Sequence, residues 1–154
     1  MKIFSCLIFC FFSMLAFAQF SEHPYVIEVN GFRGNIMLHS PDMHHLISDH
    51  PQGTIVSLLR KTDGAEEWQS AYNYPEYGGY FLHQDFKNQY LGKNYALGLQ
   101  YNFYFLNRNL QLKISQGIAM TTKVHNNETN CKNGAFSSKF MENTNFGVAY
   151  SKQN

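Results

Sequence analysis

The chain has 154 residues, with 12 Lys and Arg against 11 Asp and Glu for a formal net charge of +1. So even a balance, with no basic stripe, excludes an electrostatic case for nucleic-acid binding, and the length accommodates one domain. Its 14 Phe and 10 Tyr are dispersed along the sequence, a composition that suits strands alternating apolar with polar residues.

At the start, Lys2 precedes an apolar run from Ile3 to Phe17 that ends Ala16-Phe17-Ala18. This reads as a secretory signal peptide over residues 1–18, cleaved before Gln19, since the run is too short for a comfortable transmembrane helix. Leu7-Ile8-Phe9-Cys10 offers a lipoprotein alternative, but the bulky Phe9 and the short stretch before it favour ordinary cleavage. Cys6 and Cys10 leave with the leader, so Cys131 stays alone and no internal disulfide forms. Export without disulfides fits a Gram-negative envelope better than a stapled secreted domain.

Residues 19–154 are expected to form the N-terminal portion of a β-barrel domain. Strand candidates fall at residues 31–39, 53–61, 78–86, 95–106, 110–120 and 138–150, and no stretch sustains a helical apolar period. The fourth is the clearest: Leu97, Leu99, Tyr101, Phe103 and Phe105 fall on one side, and Gly98, Gln100 and Asn102 on the other. In the fifth, Leu110, Leu112, Ile114, Ile118 and Met120 oppose Gln111, Lys113, Ser115, Gly117 and Ala119. Lys113 facing lipid near the midplane would cost about 2 to 4 kcal/mol, so it is expected in the lumen. The last candidate repeats the scheme, with Thr144, Phe146, Val148 and Tyr150 opposite Asn145, Gly147 and Ala149.

The fold class expected is therefore all-β, an antiparallel up-and-down outer-membrane β-barrel with an apolar wall and a polar lumen. A soluble lipocalin-like barrel would turn its apolar face inward. Asn107-Arg108-Asn109 reads as a tight hairpin on the periplasmic side. The longer connections at residues 40–52, 62–78 and 123–134 read as extracellular loops. Trp68, Tyr72, Tyr74, Tyr77 and Tyr80 suit an interfacial aromatic girdle, or simple loop packing.

Two clusters invite chemistry. His39, His44, His45 and His50, with Asp42 and Asp49 between them, match no zinc template and lack a nearby thiolate, so they read as a polar surface loop with His39 facing the wall and no metal. His83 and Asp85, two apart on the third strand, are placed in the lumen, either as an orienting pair for catalysis or as part of a lumen hydrogen-bond network. There is no G-x-S-x-G elbow, H-E-x-x-H helix or Gly-rich phosphate loop, and no cofactor is expected. Asn127-Glu128-Thr129 fits a glycosylation sequon, which carries little meaning in a bacterial envelope.

Taken in order, Gly31-Phe32-Arg33-Gly34 with Ile36 and His39, His50-Pro51-Gln52-Gly53, Lys61-Thr62-Asp63-Gly64 with Trp68, Tyr72-Asn73-Tyr74-Pro75 with Gly78, Asp85 with Lys87-Asn88, Leu91-Gly92, Phe103-Tyr104-Phe105 and Gly117-Ile118-Ala119 resemble the acyloxyacyl hydrolases of the lipid A 3-O-deacylase family, in the form found in Bacteroidetes. The resemblance implies an eight-stranded outer-membrane barrel, with about six strands here, and a serine esterase that removes an ester-linked acyl chain from the lipid A of lipopolysaccharide. It also implies a His-x-Ser-Asn motif on a late strand carrying base and nucleophile, with an acidic residue further on to orient the histidine.

None of the seven histidines, at 23, 39, 44, 45, 50, 83 and 125, is followed two positions later by serine. Residues 148–154 resemble the strand and turn that precede the motif. The chain is therefore expected to be C-terminally truncated, to supply scaffold and loops without a catalytic residue, and to be inactive alone. An open six-stranded sheet would also leave unpaired backbone groups in hydrocarbon. The alternative is a non-enzymatic outer-membrane barrel of structural or adhesive type; the oligomeric state has no sequence signal.

Overall fold

Strict alternation of side chains makes the strands, because a residue in a pleated backbone shares its face with the residues two positions away. The computed structural model describes residues 25–37 and 41–151, with six strands: β1 (Tyr25–Arg33), β2 (Gln52–Lys61), β3 (Glu76–Asp85), β4 (Lys93–Phe105), β5 (Leu110–Thr121) and β6 (Phe140–Tyr150). The leader and His39 lie outside the described residues. Five strands fall where the alternation places them, but β1 begins at Tyr25 and ends at Arg33, well before the expected 31–39. The signal was present: Tyr25, Ile27 and Val29 alternate with Glu28 and Asn30, and they pair with Arg60, Leu58 and Val56 of β2.

The strands form one antiparallel sheet in the order β1-β2-β3-β4-β5-β6. Consecutive antiparallel neighbours force successive connections to alternate between the two ends. Residues 34–51, 86–92 and 122–139 therefore gather at one end, and residues 62–75 and 106–109 at the other. This corrects the placement of the 62–78 connection with the extracellular loops. Asn73 Nδ2 donates to Tyr104 O at 2.9 Å and Arg108 Nη1 to Tyr74 O at 3.0 Å, which ties that connection to the tight turn. Loop length and polarity do not encode the end; counting strands does. This connection also carries the short helix α1 (Glu67–Ala71).

At the opposite end three loops knit into a cap. Asn88 Nδ2 donates to Leu46 O at 3.0 Å, Ser48 Oγ to Lys87 O at 2.7 Å and Asn130 Nδ2 to Tyr90 O at 3.1 Å. Phe86 and Phe136 meet with ring centroids 5.3 Å apart. Each amide or hydroxyl satisfies a carbonyl that the irregular backbone would otherwise leave unpaired.

The sheet curls until side chains meet across its concave side. Lys113 of β5 forms an ion pair with Glu28 of β1, and Gln100 and Asn102 of β4 donate to the same carboxylate at 3.4 and 3.3 Å. Lys113 thus faces the lumen, as its cost in lipid requires. Nearer the cap the lumen is apolar, with Tyr80, Leu82, Ala96 and Ala119 buried together against Phe32, Ile55 and Met141. Tyr80 is 1% exposed, so it belongs to this interior and not to the girdle expected for it. A small barrel fills its inside with side chains, and here the filling is part apolar, part polar. Among the described residues, β1 and β6 are not paired with each other.

Candidate functional site

The registers stack the outward side chains in rows that run across the strands. Nearest the cap lies Arg33-Gln52-Asp85-Lys93, followed by Gly31-Thr54-His83-Tyr95-Met120-Phe140. Below these come Val29-Val56-Phe81-Leu97-Ile118-Glu142, and then Ile27-Leu58-Gly79-Leu99-Gln116-Thr144. The next row, at the end of the tight turn, includes Arg60, Tyr77, Tyr101, Ile114 and Phe146.

Leu97, Leu99, Ile118, Phe146 and Val148 are each about two-thirds to three-quarters exposed. In water this contiguous apolar wall would forfeit about 1.5 to 3 kcal/mol per side chain, a loss that hydrocarbon around the barrel removes. An aromatic group sits at the lower edge: Trp68 packs on Tyr77 at 6.3 Å between centroids, Tyr77 on Tyr101 at 6.1 Å and Tyr101 on Phe103 at 4.6 Å. Trp and Tyr gathered at one edge of the apolar wall are the arrangement a membrane interface favours.

One polar island interrupts the wall. Thr144 Oγ1 donates to Gln116 Oε1 at 2.9 Å, and Gln116 Nε2 donates to Glu142 Oε1. These three residues lie on β5 and β6, face outward, and are exposed. A carboxylate on a lipid-facing wall is expensive and points to function by default. The alternation as read from the sequence assigned Thr144 to this face but left Gln116 and Glu142 unremarked; their even parity was the available signal.

His83 and Asp85 stand on the outer face, which corrects their placement in the lumen. Both parities of β3 carry apolar residues: Tyr80 and Leu82 turn inward to the core, and Phe81 outward, so hydrophobicity alone cannot orient that strand. The two side chains also have separate partners. The His83 ring lies 5.2 Å from that of Tyr95. Asp85 Oδ1 accepts from the Lys87 backbone N–H at 2.9 Å, and Asp85 Oδ2 lies 3.6 Å from Lys87 Nζ and 3.8 Å from Lys93 Nζ.

The histidine-rich loop is likewise dispersed. His45 Nε2 is 2.7 Å from Lys132 O, and His50 Nδ1 is 3.2 Å from Gly34 O, each held to a different segment of backbone. Sequence reading also missed the lumen acid Glu28 and its partner Asn30, which donates to Glu28 Oε1 at 2.7 Å, because β1 was placed too late.

Exposed basic residues outnumber acidic ones at the cap, where Arg33, Lys87, Lys93, Lys123, Lys132 and Lys139 accompany Asp49 and Glu128, whereas exposed Asp63, Glu66 and Glu67 lie with Lys61 at the other end. The profile of the family described as Lipid A 3-O-deacylase (PagL) matches residues 52–154, two-thirds of the chain. No curated protein and no solved structure matches it.

Proposed function

Because the chain belongs to the lipid A 3-O-deacylase family, we propose that it builds the wall of an outer-membrane hydrolase that cleaves an ester-linked acyl chain from lipid A. The observation that carries this reading is the polar island of Gln116, Glu142 and Thr144 among the outward apolar side chains of Val29, Val56, Phe81, Leu97, Leu99 and Ile118. The acyl esters of a membrane lipid lie where the headgroup meets hydrocarbon. The island stands two to three rows below the cap-side rim, level with Leu97 and Leu99, where it offers polar contacts to an ester-bearing segment of a lipid lying along the wall. Substrate then reaches the protein from the bilayer side, since the lumen is filled by Tyr80, Leu82 and the Glu28–Lys113 network.

The island supplies a hydroxyl, an amide and a carboxylate but no imidazole. Ester hydrolysis by a serine needs a nucleophile, a base in hydrogen-bond reach and oxyanion donors in one place, and no His-x-Ser occurs in these 154 residues. In this reading the chain is a scaffold without its own catalytic residue and requires further strands that bear the motif. Export behind the leader at residues 1–18, the outer membrane as destination, and the Bacteroidetes form of the family belong to the same proposal. Their support is the apolar leader, the lipid-facing wall and the ordered segments from Gly31 to Ala119.

The test follows fatty acid release from lipopolysaccharide by mass spectrometry in detergent micelles. It compares the 154-residue chain with the same chain joined to the His-x-Ser-Asn strands of a family member. Release by the fusion alone is expected. Release by the 154 residues that vanishes in His83→Ala would place the catalytic site inside this chain, and release by neither protein would favour the non-enzymatic structural or adhesive barrel.

A further inference from the structure

The two rows nearest the cap form a groove of about 550 Å³ across the outer faces of β1, β2 and β3, lined by Arg33, Gln52, Gly53, Thr54, His83 and Asp85. Register alone brings these residues together. Arg33 pairs with Gln52, which pairs with Asp85, while Gly31 pairs with Thr54, which pairs with His83. Gly31 has no atom within 4 Å of where a Cβ would stand, so the floor beside Thr54 is open.

We propose that Arg33, Gln52, Thr54 and His83 bind a phosphate group on the headgroup of a glycolipid seated in the outer leaflet, at a site separate from the deacylation site. The proposal rests on the outer-membrane reading above and adds a ligand contact to it. The donor set fits an anion: Arg33 offers a planar fork matched to phosphate oxygens, and Thr54, Gln52 and His83 add a hydroxyl, an amide and a ring N–H. The Asp85 carboxylate shares the groove, but it accepts the Lys87 N–H and has the Lys87 and Lys93 ammonium groups beside it. Counting Arg33, Lys87 and Lys93 against Asp85 leaves the groove's margin positive.

The surroundings select a lipid over a free anion. Directly below the groove lies the apolar row of Val29, Val56 and Phe81, with Val56 and Phe81 paired in register. A molecule with phosphate above and acyl chains below satisfies both levels at once, whereas free phosphate has no use for the lower one. The basic cap extends the same complementarity, since a membrane surface crowded with phosphates attracts Lys and Arg placed at its edge.

The experiment uses the full chain, folded in octyl glucoside micelles, with folding of every variant verified by heat-modifiable migration on gels. Binding of diphosphoryl lipid A, monophosphoryl lipid A and dephosphorylated lipid A is measured by thermophoresis, with inorganic phosphate as probe and competitor. Diphosphoryl lipid A is expected to bind at least about tenfold more tightly than the dephosphorylated form, and Arg33→Ala and His83→Gln each to lose about tenfold. Arg33→Lys should recover part of the loss. Lys61→Ala, at the opposite end, should bind as the parent does, and Thr54→Val replaces any variant that does not fold. Equal binding of all three lipids, or parent-like binding by Arg33→Ala and His83→Gln, overturns the site. Saturable binding of inorganic phosphate that displaces the lipid overturns its assignment to a glycolipid. Since no turnover is measured, failure here leaves the fatty acid release test standing, and the converse holds.

Discussion

Tyr80 on β3 donates its phenol proton to Asn143 Oδ1 on β6 at 2.9 Å, spanning the two intervening strands. Glycine makes this reach possible: Tyr80 pairs with Gly98, Gly98 with Gly117, and Gly117 with Asn143, so the row beneath the phenol has no side chains. A Cβ at Gly98 would meet Gly117 Cα at 2.5 Å, and one at Gly117 would meet Gly98 Cα at 2.7 Å. Tyr80→Phe is expected to cost about 1 kcal/mol for the lost hydrogen bond. Gly98→Val should cost more, by about 1 to 3 kcal/mol of overpacking. Urea unfolding in micelles, followed by far-UV circular dichroism, checks both; equal midpoints for parent and Gly98→Val would refute the close approach.

The Glu28–Lys113 pair should behave as an enclosed ion pair rather than a surface one. Lys113→Met alone leaves the Glu28 carboxylate uncompensated among Asn30, Gln100 and Asn102, at a cost of about 3 to 5 kcal/mol. The double variant Glu28→Met with Lys113→Met removes both charges and should recover most of that loss. A double-mutant cycle by the same unfolding measurement reads the coupling, and additive losses would place Lys113 outside the lumen.

Wall positions should tolerate charge poorly and apolar replacement well. Leu99→Arg, at a position 73% exposed in the middle rows, should destabilise the membrane-inserted state by about 2 to 4 kcal/mol. Gln116→Leu combined with Glu142→Gln should leave that state as stable or more so, while abolishing fatty acid release by the motif-bearing fusion. Unfolding from lipid vesicles gives the first quantity and mass spectrometry the second. A destabilised, fully active Gln116→Leu/Glu142→Gln protein would reduce the island to a structural feature.

Export behind residues 1–18 predicts a mature chain that starts at Gln19 and fractionates with the outer membrane. N-terminal sequencing of envelope protein checks it. A retained Met1, or a lipid on Cys10, would contradict it.

Much of this architecture is legible in the sequence because period two is a local rule. From Ala96 to Phe105 and from Leu110 to Met120 the large apolar residues keep one parity, and Lys113 decides which parity faces lipid, since a one-residue slip would invert every side chain. β3 resisted the same reading. Tyr80 and Leu82 against Phe81 put apolar bulk on both faces, and nothing within the strand tells the core from the bilayer. Only the register with β2 and β4, which sets Tyr80 beside Ser57 and Gly98, orients it.

The sequence by itself determined that the chain is a series of antiparallel strands with a lipid-facing wall, because alternation and the cost of burying Lys113 in hydrocarbon act residue by residue. The tertiary structure decided everything that depends on neighbours across strands. The curl of the sheet brought Glu28 to Lys113, and the alternation of connections moved residues 62–75 to the end opposite the cap. Cross-strand register gathered Arg33, Thr54 and His83, which lie up to 50 residues apart in the chain, on one outer rim. Such meetings follow from hydrogen-bonded pairing between distant segments, and no local pattern of side chains encodes them.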